Sequence, residues 1–119
     1  MDDYRQQQIE ALQVAHEYSA KLIKGIENVS EELSGNRLLD TDAYLDEVVK
    51  GINWIIEIIN RTMDVINEKE VLIEKEKVNE AVKGLGDALS KKEDALIAVA
   101  LKGGVLEFVK QIEKVTAEY

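Results

Sequence analysis

Between Tyr44 and Ile66 the chain reads YLDEVVKGINWIIEIINRTMDVI, and this stretch restricts the fold more than any other. At helical period, Leu45, Val48, Val49, Ile52, Ile55, Ile56, Ile59, Met63 and Ile66 form one apolar stripe. Trp54, Ile58 and Val65 make a second apolar line on the other side of the cylinder. Asp46, Lys50, Asn53, Glu57, Asn60 and Asp64, with Arg61 at the edge, are left as a narrow polar strip. A helix so largely apolar must be covered by more than one neighbour. The expected fold is therefore all-α, an antiparallel bundle of four helices around this central second helix. A chain of 119 residues can bury such a core as one domain over residues 1–119. It contains no proline to break a helix, and only 5% aromatic residues to favour strands.

The first helix is predicted from about Asp3 to Leu33. Tyr4, Leu12, Ala15, Tyr18, Leu22, Ile26, Val29 and Leu33 share a face, widened by Ile9 and Ile23, and Gly35-Asn36 supplies left-handed residues to stop it. Gln8, Ser19 and Ser30 interrupt that face, as small or polar residues do where helices approach closely or a groove opens. Asp40 or Thr41 is expected to cap the second helix. After Asn67 the periodicity blurs, which places a turn near Glu68 to Leu72 and a third helix from about Ile73 to Leu89. Ser90-Lys91-Lys92-Glu93 has the spacing of a capping box, predicting that the fourth helix starts there. Its face is Ile97, Leu101, Val105, Phe108, Ile112, Val115 and Tyr119, interrupted by Gly103-Gly104. That glycine pair implies close packing or a bend that lets Val105–Tyr119 pivot over an apolar groove.

The formal charge is −9, from 24 acidic and 15 basic side chains. An acidic surface repels phosphate backbones and anionic lipid, so neither nucleic acid nor membrane is expected as a partner. The absence of cysteine excludes disulfides and thiolate metal sites. No signal peptide and no run of about 20 apolar residues is present, so the expected location is the cytoplasm.

His16 is the only histidine, and most enzymatic hypotheses depend on it. Histidine phosphotransfer domains are helical bundles of similar size, but their histidine is followed within a turn by lysine and then glycine. Here Glu17, Tyr18, Ser19 and Ala20 follow, and Lys24-Gly25 comes two turns later. A structural histidine at the rim of the core is the favoured reading. A dinuclear carboxylate site needs two Glu-x-x-His pairs and cannot be built from one histidine. Ser19 beside His16 lacks an orienting acid, and Gly84-Leu85-Gly86 lacks the context of a phosphate-binding loop. No catalytic residue, metal or cofactor is expected. Asp40, Asp42, Asp46 and Glu47 could attract a basic partner, although acidic residues at a helix start also follow from the helix dipole. Trp54 is either a core filler or, with Ile58, Val65 and Tyr44, part of the floor of a groove that receives a partner helix.

The segment Gly51-Ile52-Asn53-Trp54-Ile55-Ile56-Glu57-Ile58-Ile59 resembles small acidic helical-bundle proteins of Gram-positive bacteria, which carry a similar glycine-x-x-tryptophan centre in their second helix. Their apolar final helix, entered through a short polar turn, is comparable with Ser90 to Leu101. The resemblance covers about half of the chain; it implies a bundle and supplies no activity. In size and helix pattern the chain is also similar to flagellar-type export chaperones, without their short motifs. The function expected is a non-enzymatic protein-binding module, an adaptor or secretion-chaperone-like protein holding an amphipathic helix or a partner subunit. A homodimer through surplus apolar surface is a related expectation. The alternatives are phosphotransfer through His16 and an immunity protein neutralising a basic toxin.

Overall fold

The computed structural model describes residues 2–119. Helix α1 spans Asp2–Leu33, α2 Thr41–Ile66 and α3 Lys75–Lys91. The fourth helix is broken into α4, Asp94–Ala100, a π-type turn at Leu101–Val105, and α5, Leu106–Thr116. The protein is an all-α bundle, with no strand among the described residues.

A helix of 32 residues is about 48 Å long, so α1 alone spans the 50 Å long axis of the molecule. It packs against α2, α4, the π turn and α5, whereas α2 packs chiefly on α1. The bundle is thus centred on α1, and α2, expected at the centre, packs on it from one side. Cross-links give the directions. Gln8 Nε2 donates to the Arg61 carbonyl at 3.1 Å and to Asp64 Oδ1 at 3.0 Å, while Tyr18 meets Trp54 near the middle. Gln13 Nε2 donates to the Tyr119 carbonyl at 2.8 Å. Both α2 and α5 therefore run antiparallel to α1. Leu12, Ile26, Ile52, Ile55, Ile59, Leu101 and Ile112 are fully buried between them.

Local chemistry sets the boundaries. Gly35, at φ +111°, ends α1 as expected. Thr41 does not cap α2: its hydroxyl accepts the Leu38 N–H at 2.8 Å and donates to Glu32 Oε1 at 2.8 Å. Asp40 occupies the N-cap position without a side-chain capping bond. Blurred periodicity after Asn67 has one cause. Asn67 Oδ1 accepts the amides of Leu72 and Ile73, at 2.9 and 3.1 Å, and its Nδ2 donates to the Ile73 carbonyl at 3.0 Å. Ile73 is buried from within this loop, so it follows no helical phase, and α3 starts two residues later than predicted.

The expected capping box at Ser90 is not formed. α3 continues through Ser90 to Lys91, and Lys92 closes it in the left-handed region at φ 56°, its amide donating to the Leu89 carbonyl. Glu93 precedes α4 with no side-chain cap. The Gly103-Gly104 pair serves a bend and a close contact at once. Gly103 leaves helical angles at φ −83°, ψ −111°. A β-carbon on Gly104 would stand 3.1 Å from that of Ala81 in α3. Such insertions and kinks interrupt the regular ladder at identifiable residues. The segment beyond the bend is firmly held. Phe108, Val109 and Ile112 are buried, and Gln111 Nε2 donates to the Leu72 carbonyl at 2.6 Å.

Candidate partner-binding surface

A shallow trench runs where α1 and α2 face each other. Its main feature is an aromatic pair: Tyr18 and Trp54 meet edge to face, ring centres 4.9 Å apart at 74°. Glycine is what lets Tyr18 lie there. A β-carbon at Gly51 would overlap the Tyr18 hydroxyl and crowd Leu22, with its Cδ1 at 3.2 Å. On one side of Tyr18 lies a depression of about 450 Å³ lined by Glu47, Lys50, Gly51 and Trp54. On the other side is one of about 240 Å³ that includes Lys21, Lys24, Gly25, Tyr44 and Glu47. Tyr18 and Glu47 line both, so the two form one trench with an aromatic floor and a charged rim.

The four residues predicted as a groove floor are separated by the fold. Trp54 is 39% exposed and Tyr44 is half-buried, both on the trench. Ile58 and Val65, 8% and 3% exposed, belong to the core. Periodicity alone groups them with Trp54, but their line begins at Gly51, since 51, 58 and 65 are seven residues apart. Seven-residue spacing keeps side chains on one seam between packed helices. Having no side chain, Gly51 does not enter an apolar pattern, which leaves Trp54 as the apparent first member of the seam. In the sequence Tyr18 is legible only as a member of the α1 core face. The usable signal for this site was a glycine in mid-helix, which costs stability unless something must approach closely.

Rim electrostatics are local. Lys50 Nζ contacts Asp46 at 3.0 Å, one turn away, and that bond raises the lysine above its ordinary pKa. Two of the four acids at the start of α2 are likewise held by local partners. Asp46 faces Lys50, while Asp42 accepts from Arg37 at 2.8 Å. Arg37 also donates to Asp94 at 2.7 Å, and this hydrogen bond holds the Asp94 carboxyl below the usual range.

His16 is half-buried against α5. Its Nδ1 lies 3.0 Å from the Glu113 carbonyl and 3.2 Å from Thr116 Oγ1. A carbonyl only accepts, so the bond to Glu113 requires the proton on Nδ1. The ring thereby latches α5 to α1. Ser19 and Ser30 are both fully buried, which answers the choice between close approach and an open groove. The Ser19 hydroxyl donates back to the Ala15 carbonyl at 2.7 Å, and the Ser30 hydroxyl has no partner among the described residues. Among the described residues no cluster of His, Asp and Glu is arranged to hold a metal ion, and no helix is long and apolar enough to cross a membrane.

No curated protein and no solved structure matches the chain. A family described as a domain of unknown function, DUF8042, matches residues 10–115, from the third turn of α1 to the last turn of α5. The match covers nearly the whole bundle, and the chain belongs to that family.

Proposed function

We propose that the protein is a non-enzymatic, cytoplasmic binding module that holds an amphipathic helix of a partner protein along the α1–α2 trench. The observation that carries this reading is the Tyr18–Trp54 pair seated over Gly51. Large aromatic side chains lose little conformational freedom on docking and dominate the energetics of interfaces. Here one is left 39% exposed on α2, between the buried Gly51, Ile55 and Ile58 and the exposed Lys50, Asn53 and Glu57. A glycine in mid-helix keeps the aromatic pair in place, at a cost to helix stability of about 0.5–1 kcal/mol. An elongated trench between two antiparallel helices suits a third helix, whose apolar face would cover Trp54 while its polar flanks meet Lys21, Lys24, Lys50 and Glu47.

The other readings gain less support. Phosphotransfer asks for an exposed histidine with a partner-accessible face, whereas His16 spends its Nδ1 on α5. Neutralising a basic toxin asks for an uncompensated acidic patch, whereas Asp42 and Asp46 already pair with Arg37 and Lys50.

A photo-crosslinking side chain placed at Trp54 in the native cell tests the reading. It should trap a discrete protein adduct that the same group at Asn60, on the exposed strip of α2, does not trap. Identical adducts at both positions, or none at Trp54, would refute it.

A further inference from the structure

The loop between α1 and α2 carries Leu38 and Leu39, which are 60% and 108% exposed. Leu39 thus stands as free of the fold as a leucine in an extended chain. Beside this loop opens a mainly apolar hollow of about 910 Å³, walled by Leu33, Ala95, Ala98 and Val99, with Lys102 and the Arg37-bound Asp94 also lining it. Val99 is itself 70% exposed, and Leu96 of the same short helix is 38% exposed. The protrusion and the hollow are fixed relative to each other. Arg37, next to Leu38, donates to both Asp94 oxygens at the start of α4, at 2.7 and 3.1 Å, and to Asp42 at 2.8 Å. Charge is distributed to match. Asp40 follows the protruding Leu39 and makes no side-chain capping bond. Lys102 lines the hollow and makes no salt bridge among the described residues.

We infer that this end of the bundle docks against a second copy of the chain across a two-fold axis. Leu39 of each copy enters the hollow of the other, and Asp40 faces the partner's Lys102. A two-fold interface requires one patch to be complementary to itself. This patch carries an apolar knob with an acid beside it, and an apolar hollow with a base on its rim. The axis makes each contact twice. An exposed apolar cluster of this kind marks an interaction site. The inference is independent of the α1–α2 trench.

Sedimentation velocity of the full chain over a range of concentrations tests it. The wild type should pass from monomer to dimer, and Leu39→Asp should weaken the dimer about tenfold or more with an unchanged far-ultraviolet spectrum. Asp40→Lys and Lys102→Glu should each weaken it through two like-charge contacts. Mixing these two variants should restore a heterodimer, because both contacts then pair opposite charges; the double variant should dimerise with itself for the same reason. A wild type that stays monomeric up to millimolar concentration overturns the inference. So does a dimer indifferent to Leu39→Asp, or single variants that fail to rescue one another. The Asp40 and Lys102 arms keep the test decisive should Leu39→Asp disturb the loop.

Discussion

The hydroxyl of Tyr18 lies directly against the backbone of Gly51, where any β-carbon would displace it. This contact ties the aromatic pair to the α1–α2 seam and leaves Trp54 at the edge. Gly51→Ala should therefore destabilise the wild type by about 1–2 kcal/mol, since overpacking at Tyr18 exceeds the gain in helix propensity. In a Tyr18→Phe background, where the obstructing oxygen is gone, the same change should cost far less or stabilise. A denaturation cycle over the four proteins measures the coupling. Strictly additive effects would mean that the two residues do not share this space.

On α2 the burial pattern gives a graded series. Ile55→Ala and Ile59→Ala, at buried positions, should each cost about 2–5 kcal/mol. Asn60→Ala should change stability by about 0.5 kcal/mol or less, as should Asp46→Ala, whose partner Lys50 is an exposed i,i+4 neighbour. Trp54→Ala should fall between the groups, and acrylamide should quench its fluorescence readily. A blue-shifted, unquenched tryptophan in the monomer would remove Trp54 from the binding surface.

Glycine is distributed in the last third of the chain in ways that substitutions can resolve. Gly84 and Gly86 sit inside α3 with nothing within 4 Å of a β-carbon, so alanine at either should stabilise by about 0.5–1 kcal/mol. Gly104→Val should do the opposite by about 1–3 kcal/mol, because the added atoms push against Ala81 and lift α3 from the bend. Lys92→Gly should stabilise by up to about 1 kcal/mol, as the left-handed residue closing α3 is the one position there that favours glycine. Thermal melts would show these signs directly.

Removing the imidazole tests the latch between α1 and α5. His16→Ala should lower stability by about 0.5–1.5 kcal/mol through loss of the bond to the Glu113 carbonyl. Amide exchange should rise first in α5. Incubation with a phosphorylated receiver domain should give no stable phosphohistidine, and its appearance would revive the phosphotransfer reading.

Acid should loosen the loop–α4 tether. Asp94 titrates below the ordinary aspartate range because Arg37 hydrogen-bonds its charged form. A carboxyl depressed in the folded state stabilises above its unfolded pKa, and this contribution is lost as pH falls through the folded value. Glu68, held down by its hydrogen bond to Arg5, acts in the same direction. Carboxyl NMR should show Asp94 moving up towards its usual range in Arg37→Gln; an unmoved titration would show that the pair does not persist in solution.

Much of this protein is legible in its sequence. Helical period alone identifies α1, α2 and the face of the last helix, from Ile97 through Leu101 and Val105 to Ile112, because apolar side chains must leave water wherever the backbone repeats. Gly35 marks the first turn, because a left-handed residue favours glycine. Three features were decided only by tertiary contact. Asn67 binds the amides of Leu72 and Ile73, and no periodicity reveals a side chain that organises a loop. Lys92 takes a left-handed conformation that its type disfavours and closes α3 with its amide on the Leu89 carbonyl, so the capping pattern at Ser90 is misleading. The seam through Gly51, Ile58 and Val65 was hidden because its first member has no side chain to count. Sequence periodicity reports which residues avoid water. Whether Trp54 is closed over or left at the edge of a trench depends on where Tyr18 comes to rest, and only the packing of α1 on α2 fixes that.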